Sequence, residues 1–443
     1  MKSKFREIKG SVVAPQGFLV SGVFCDIKRL GTGKGSHKGQ KRDLALIVSE
    51  VPATVAGMFT TNQVYAAPVK LCVERVKKGT AQAIVVNSGN ANACTGKQGL
   101  ADACEMTALL ARHLHMPTEH VLVGSTGRIG VTLPMASVRA GITEAVTLLD
   151  NLPASADQAE EAIMTSDTRP KQIAVEFKLG GVTVRIGGIC KGAGMIQPGM
   201  SGTGARPAAQ PRALHATMLC FLTTNAAVDA KTLQAALREA VAQSFNRITV
   251  DGDMSTNDTV LVLANGLAGN RKFGVRSSEF GIFQAALNHV CLELAKMIVR
   301  DGEGVHRVVT VRVQGAKTVQ DADAAARAVA NSPLVKTSWH GGDPNWGRIM
   351  DALGYSSARI TEGKVDVGYS APDRRKILWS VRRGQPTKAT FRQLCAAVAP
   401  KEFDLHLNLN LGPAGAVIYA ADLTEEYVDF NKGDTGDPNS LGG

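Results

Sequence analysis

The sequence predicts a mixed α/β protein with more than one structural unit, and three observations carry that prediction. Short β-like runs alternate with longer helical ones through the first half. The second half repeats the style, and 443 residues exceed one ordinary core. In the first half, DLALIVSE (43–50), VAGMFTTN (55–62) and AIVVNSG (83–89) are rich in Val, Ile and Thr and end in turn residues, so each reads as a short strand. KQGLADACEMTALLARHLH (97–115) places apolar residues at three- and four-residue steps, the period of a helix. VLVGSTG (121–127) is a strand running into a glycine turn, and QIAVEF and VTVRIGGIC, joined at KLGG (178–181), form a hairpin. In the second half, DAKTLQAALREAVAQSFN (229–246) and SSEFGIFQAALNHVCLELAKMIV (277–299) are amphipathic helices. TVLVLANG (259–266), VVTVRVQGA (308–316) and DLHLNLNLG (404–412) are strands. In the last, Leu405, Leu407, Leu409 and Leu411 alternate, which buries one face.

The composition, 44% apolar and 20% charged, is that of a globular chain, and with 5% aromatics the core rests on Val, Leu, Ile and Ala. The N-terminal residues lack an apolar run of signal-peptide length, and no stretch reaches the roughly 18 consecutive apolar residues of a membrane span. Eight cysteines without a CxxC pair suggest reduced thiols, so a cytoplasmic chain is expected. No HExxH and no Cys/His cluster appears, so no metal is expected. The net charge of +11 invites a nucleic-acid reading, but the Lys and Arg residues are dispersed and lack interleaved stacking aromatics. Attraction of small carboxylates explains the same sign.

Several segments carry chemistry-bearing residues. RLGTGKGSHKG (29–39) resembles a phosphate loop until Lys34, which is followed by Gly35 where Ser or Thr is needed, so it reads as a loop. GSTG (124–127) offers hydroxyls and backbone N–H groups at a turn, the material of an oxyanion hole, although such turns are common. CKGAGMIQPGM (190–200) sets Lys191 before a glycine-rich backbone. SFNRITVDGDMSTNDT (244–259) is a dense polar loop of the kind that caps helices and satisfies backbone groups. VNSGNANACTG (86–96) and GGDPNWGRI (341–349) mix Asn and Gly as left-handed turns require. SGTGARPAAQPRALH (201–215) is a pliable surface excursion that ends just before Ala216 and Thr217.

Taken in order, VNSGNANACTG, GSTGRIG, TSDTRPK (165–171), KGAGMI, ATML, SFNRITVDGDMSTNDT, RDGEG (300–304) and GGDPNWGRI resemble the ornithine acetyltransferase family of arginine biosynthesis, from about residue 10 to about residue 431. The resemblance implies a layered α/β sandwich of β-sheets flanked by helices. It also implies self-cleavage between Ala216 and Thr217, giving an α chain of residues 1–216, with the insertion 201–215 at its end, and a β chain of 217–443. Thr217 would head the second chain as nucleophile, its own α-amine serving as base. Thr126 and Gly127 match the family's oxyanion hole; Thr165, Lys191, Thr217, Glu303 and Asn431 match substrate-binding positions. The reaction implied is ping-pong transfer of acetyl from N-acetylornithine to glutamate by dimers of αβ pairs, without a cofactor and with acetyl-CoA left open as a second donor. An N-terminal-nucleophile amidohydrolase and an uncleaved amino-acid-binding relative are the alternatives.

Three features depart from the family pattern. The insertion 201–215 separates Met200 from the expected cleavage site, and Arg128 stands beside the oxyanion turn where a small apolar residue is usual. In the tail, the last binding position falls by spacing on Gly436, with Thr435 the nearest hydroxyl.

Overall fold

A computed structural model describes residues 5–28, 41–205, 218–372, 374 and 376–432. Along the chain run β1 (Phe5–Ile8), β2 (Phe18–Val23), β3 (Leu44–Phe59), α1 (Ala67–Val76), β4 (Thr80–Asn90), α2 (Gly96–His113), β5 (Val121–Arg128), α3 (Met135–Thr147) and α4 (Pro153–Ile163). Next come β6 (Gln172–Leu179), β7 (Val182–Lys191), β8 (Leu219–Thr224), α5 (Ala230–Gln243), β9 (Ile248–Thr249), β10 (Thr259–Ala264) and α6 (Ser278–Arg300). The remainder is β11 (Val308–Ala316), α7 (Val319–Asn331), α8 (Pro333–His340), α9 (Trp346–Gly354), β12 (Asp366–Ser370), β13 (Leu378–Arg382), β14 (Gln385–Pro386), α10 (Phe391–Val398), β15 (Glu402–Asn408), β16 (Ala414–Ala421) and α11 (Glu425–Phe430). The fold is mixed α/β, as the sequence predicts. Two compact units divide it: one runs to Asn246 and resumes over Asp253–Ile298, the other takes Arg247–Gly252 and Val299–Asn431.

The first unit is built on one sheet in the order β1-β6-β7-β8-β10-β3-β4-β5, with β2 on the other edge of β3. Two parallel pairs, β4 with β5 and β8 with β10, are joined by crossovers through α2 and α5, as parallel strands require. The β6–β7 hairpin turns at Gly180 and Gly181. Where the sequence suggests two strands, 43–50 and 55–62, the chain forms the single long β3. Its pairing with β4 shifts register between Val48 and Ala53, around Pro52, which has no N–H to give the ladder. The first half of β3 pairs with β2 and its last residues pair with β10. This lets the sheet pack on itself: a Cβ on Gly124 of β5 would lie 3.1 Å from the Phe221 ring of β8. One buried core of Val, Leu, Ile and Ala side chains contains residues of both β5 and β8.

Helix α6 has the length and composition of a membrane span, the only described helix that does. Its residues Phe283, Leu287, Val290 and Leu294 are fully enclosed. A Cβ on Gly188 of β7 would meet Leu294, and the Phe283 ring packs against Phe177 of β6, so α6 is a core helix.

The second unit holds a sheet ordered β14-β13-β12-β15-β11-β16-β9. Helix α7 lays Ala322, Ala325, Ala326, Val329 and Ala330 into its core. The predicted strand 404–412 stops earlier, at Asn408. There the Asn408 side chain accepts the Asn410 N–H, 3.1 Å, and turns the chain; Leu409 stays buried, while Leu411 is only partly so.

The division expected from self-cleavage, 1–216 and 217–443, is a covalent one and follows other lines than the compact units. Strand β8 begins two residues after position 217 and lies inside the first unit's sheet. The insertion 201–215, expected to be pliable throughout, is anchored at its start: Ser201 and Phe59 exchange both backbone hydrogen bonds, 2.8 and 2.9 Å. The basic loop 29–39, the cleavage residues Ala216 and Thr217, and Thr435 lie outside the described residues.

Candidate active site

The GSTG turn closes β5 against the end of β4, with Ser88 opposite Thr126 and Gly89 opposite Gly127. Gly127 has a φ of 128°, and a Cβ there would stand 2.3 Å from the Gly89 carbonyl carbon. No side chain fits, because two backbones occupy that space. Thr126 is 1% exposed and its Oγ1 has no hydrogen-bond partner among the described residues. A buried hydroxyl in that state is costly unless something else engages it.

The flanking asparagines hold the turn. Ser125 donates to Asn87 Oδ1, 2.6 Å, and Asn87 donates to the Asn90 carbonyl, 2.8 Å. Asn257 Nδ2 donates to the carbonyls of Ala91, 2.7 Å, and Ser125, 2.8 Å. The next residue, Asp258, is fully buried, and its Oδ1 accepts the Met218 N–H at 2.7 Å. Thr259 N–H then donates to the Met218 carbonyl, 3.1 Å. Successive residues of one loop therefore grip the GSTG turn with one side chain and the residue after Thr217 with the next. Sequence reasoning picked out this loop as a motif and a backbone-satisfying cap, but gave neither Asn257 nor Asp258 a role. The signal was the unbroken polar run STND before an apolar strand.

Lys191 ends β7, and its backbone pairs with Leu219 at the start of β8. Its ammonium donates to Thr165 Oγ1 at 2.7 Å, so two predicted substrate-binding residues meet. Behind them sits Asp167, fully buried. Its Oδ2 accepts the Thr165 N–H, 2.9 Å, and its Oδ1 accepts the Gly192 N–H, 2.6 Å, and the Lys171 ammonium, 2.7 Å. Lys191 Nζ stands 3.8 Å from Asp167 Oδ2. Burial alone would raise this carboxyl's pKa, but Lys171, Lys191 and the Gly192 N–H outweigh it and hold it well below the usual carboxylate range. Asp167 and Lys171 lie in the quoted TSDTRPK, but only their contacts show what they do.

Lys28, also buried, donates to the carbonyls of Arg42, 2.5 Å, and Glu161, 3.3 Å. Burial lowers its pKa to about 8 against the pull of Asp43 and Asp167. Its Cα backs Gly89, where an added Cβ would lie 2.8 Å from it.

The second unit holds two more of the predicted binding residues, and they also meet. Asn431 Nδ2 donates to Glu303 Oε2 at 3.0 Å and to the Tyr427 carbonyl at 2.9 Å. Gly304 presents its carbonyl to the hydroxyl of Thr424, the N-cap of α11, which seats the RDGEG loop against that helix. Arg128 closes β5 by accepting the Ala91 N–H at 2.9 Å. Among the described residues no His, Cys, Asp and Glu side chains group as a metal site, and all eight cysteines are free thiols.

The profile of the ArgJ family matches residues 29–433. The chain belongs to the ArgJ family. It is 47% identical over 424 residues to the arginine biosynthesis bifunctional protein ArgJ of Symbiobacterium thermophilum, covering 96% of this chain and 98% of that one. It is 44% identical over 432 residues to the glutamate N-acetyltransferase of Methanocaldococcus jannaschii, with the same coverage of 96% and 98%. Among solved structures, the ornithine acetyltransferase of Mycobacterium tuberculosis complexed with ornithine is 37% identical; the match covers 44% of this chain and 100% of that chain, with a TM-score of 0.41.

Proposed function

We propose that this chain is a self-processing glutamate N-acetyltransferase that moves the acetyl group of N2-acetyl-L-ornithine to L-glutamate in arginine biosynthesis, in the cytoplasm, as a dimer of cleaved αβ pairs. The observation that supports it most is the Asn257–Asp258 pair, which ties the GSTG turn to Met218, the residue that follows Thr217. Cleavage at Ala216–Thr217 frees the α-amine of Thr217, with a reference pKa of about 7.7–8.0, as a base for its own hydroxyl. The Thr217 oxygen attacks the acetyl carbonyl while the amine takes its proton. The oxyanion is received by the Thr126 hydroxyl and the Gly127 N–H. The C–N bond then breaks, the proton leaves with the ornithine amine, and an acetyl ester remains on Thr217. The neutral glutamate amine attacks that ester through the same oxyanion, the ester C–O bond breaks, the proton lost by the amine passes by way of the Thr217 α-amine to the Thr217 oxygen, and N-acetylglutamate departs. Lys191 with Thr165 supplies a cation for a carboxylate of an amino acid.

The test combines intact mass, N-terminal sequencing and turnover. Two chains, the second starting at Thr217, with ornithine release that depends on glutamate and yields N-acetylglutamate, are the expected result. An uncut chain refutes self-processing, and release of acetate in place of N-acetylglutamate makes the enzyme an amidohydrolase. Replacing N-acetylornithine by acetyl-CoA in the same assay decides the second donor.

A further inference from the structure

We propose that the β13–β14 hairpin, together with the start of α10, is a docking surface for an acidic segment of a partner protein, whose carboxylates meet exposed cations around the Phe391 ring. The inference stands apart from the acetyl-transfer reading, since none of its residues belongs to the candidate active site.

The positive charge of the chain is uneven. Residues 374–401 carry eight Lys and Arg and no Asp or Glu, against a net +11 for all 443 residues. The fold gathers this stretch. β13 pairs with β14 through Val381 opposite Pro386 and Arg382 opposite Gln385. Thr387 then turns back onto β13, its N–H donating to the Ser380 carbonyl, 3.0 Å, and its hydroxyl to the Trp379 carbonyl, 2.6 Å. Thr390 caps α10, whose Leu394 and Val398 share a core with Val381. The helix start is thereby held beside the hairpin, and Arg374, Lys376, Arg383, Lys388 and Arg392 are exposed there. None of these five has an ion pair among the described residues. Like charges gathered in this way repel one another, and an anion from outside relieves the repulsion.

Two details go beyond bulk charge. Arg383 and Gly384 form the two-residue turn of the hairpin, at φ 48° and 73°. Asn is the easier non-glycine residue in that left-handed region, so an arginine at the tip gives up local stability for a projecting cation. Arg382 is fixed in place, its guanidinium 4.7 Å over the Trp379 ring and 3.5 Å from the buried Asp366 carboxylate. That stack occupies a face of Trp379 that a nucleic-acid base would need. The open ring is Phe391, 68% exposed and followed by Arg392. An aromatic anchor among guanidinium groups, which grip carboxylates with two donors at once, has the composition of the centre of a protein–protein interface.

The test measures binding of the full-length protein to a labelled peptide of Glu and Asp that contains one Phe. The same peptide with Ser in place of Phe, single-stranded DNA and phosphatidylserine vesicles are measured beside it. Wild type is expected to bind the Phe peptide most tightly, and less tightly as salt rises. The triple variant Arg383→Asn, Lys388→Gln, Arg392→Gln is expected to weaken that binding about tenfold, as loss of three exposed charge contacts together. Phe391→Ser should weaken binding of the Phe peptide and leave the Ser peptide unmoved. A control, Lys231→Gln, Lys272→Gln, Arg276→Gln, removes the same charge from exposed positions elsewhere and should bind as wild type does. Arg383→Asn suits the turn, so the triple variant should melt no lower than wild type. If it does not fold, Lys388→Gln with Arg392→Gln reads the same loss. No binding of the peptide, equal weakening in the control, or indifference to Phe391→Ser overturns the proposal. Tighter binding of DNA or vesicles through the same residues also overturns it and makes the surface one for nucleic acid or membrane.

Discussion

Thr126 presents an unusual balance of costs. Its hydroxyl is buried without a partner among the described residues, and against these it contributes a desolvation penalty and no compensating bond. Replacement by Val keeps the shape and removes that penalty. Thr126→Val is therefore expected to leave thermal stability equal or higher while lowering kcat by about 10²–10³-fold, the effect of deleting one oxyanion donor. Thermal unfolding and steady-state kinetics on the same sample check this, and a variant that loses stability and activity together refutes the oxyanion role. Lys336 poses the opposite problem, a buried ammonium that donates to the Ala421 carbonyl. Burial lowers its pKa to about 8 despite Asp251 and Asp422 nearby. The unfolded side chain holds its proton up to about 10.4, so between about pH 8 and 10.4 the unfolded state binds more protons and stability rises with pH. Lys336→Met is expected to raise unfolding free energy at pH 7 by about 1–3 kcal/mol and to flatten that rise. Chemical denaturation at pH 7 and pH 10 reads both effects.

At the scale of elements, the loop before β10 is what joins strands that the sheet order separates. β8 and β5 lie four pairings apart in the sheet, yet Asn257 and Asp258 connect the start of one with the end of the other. Asn257→Ala leaves the buried carbonyls of Ala91 and Ser125 without that donor. The expected loss of stability is about 2–4 kcal/mol, one desolvated acceptor at a time, with a fall in kcat because the turn carrying Thr126 is released. Asn257→Asp, which keeps the size but cannot donate to a carbonyl when ionised, should behave similarly. Wild-type stability in both variants would remove the loop from its organising role. This connection was not legible in advance. The hairpin, the two long amphipathic helices and most strands could be read because period and turn residues are local. The β3 strand could not, because a proline and a polar break look like a strand end until a bulge is seen to absorb them.

At the scale of the whole molecule, the charge of +11 fits attraction of small acids and carries no interleaved aromatics for nucleic-acid bases. Thr217→Ala is expected to purify as a single chain of 443 residues without acetyl transfer, whereas wild type gives two species; mass spectrometry distinguishes them. Two chains from the Ala variant would move the cleavage chemistry to another residue. The anchoring of Ser201 bears on the insertion. Because the chain is pinned to Phe59 there, the added length starts from a fixed point, and trimming residues 202–215 is expected to leave processing at wild-type rates. Slower processing in the trimmed chain would show that the extra length takes part in reaching the scissile bond.

The sequence by itself determined the mixed α/β class, most of the regular elements and, through eight ordered motifs, the family and its chemistry. It also named the residues that the structure then pairs, Thr165 with Lys191 and Glu303 with Asn431. Period, turn composition and motif order are properties of neighbouring residues, so they survive without coordinates. Only the tertiary structure decided that Asp167 serves two lysines, that Asn257 and Asp258 join distant strands, and that Thr126 is buried without a partner among the described residues. Each depends on burial and on contacts between residues far apart in the chain, where desolvation sets the strength of every charge and hydrogen bond.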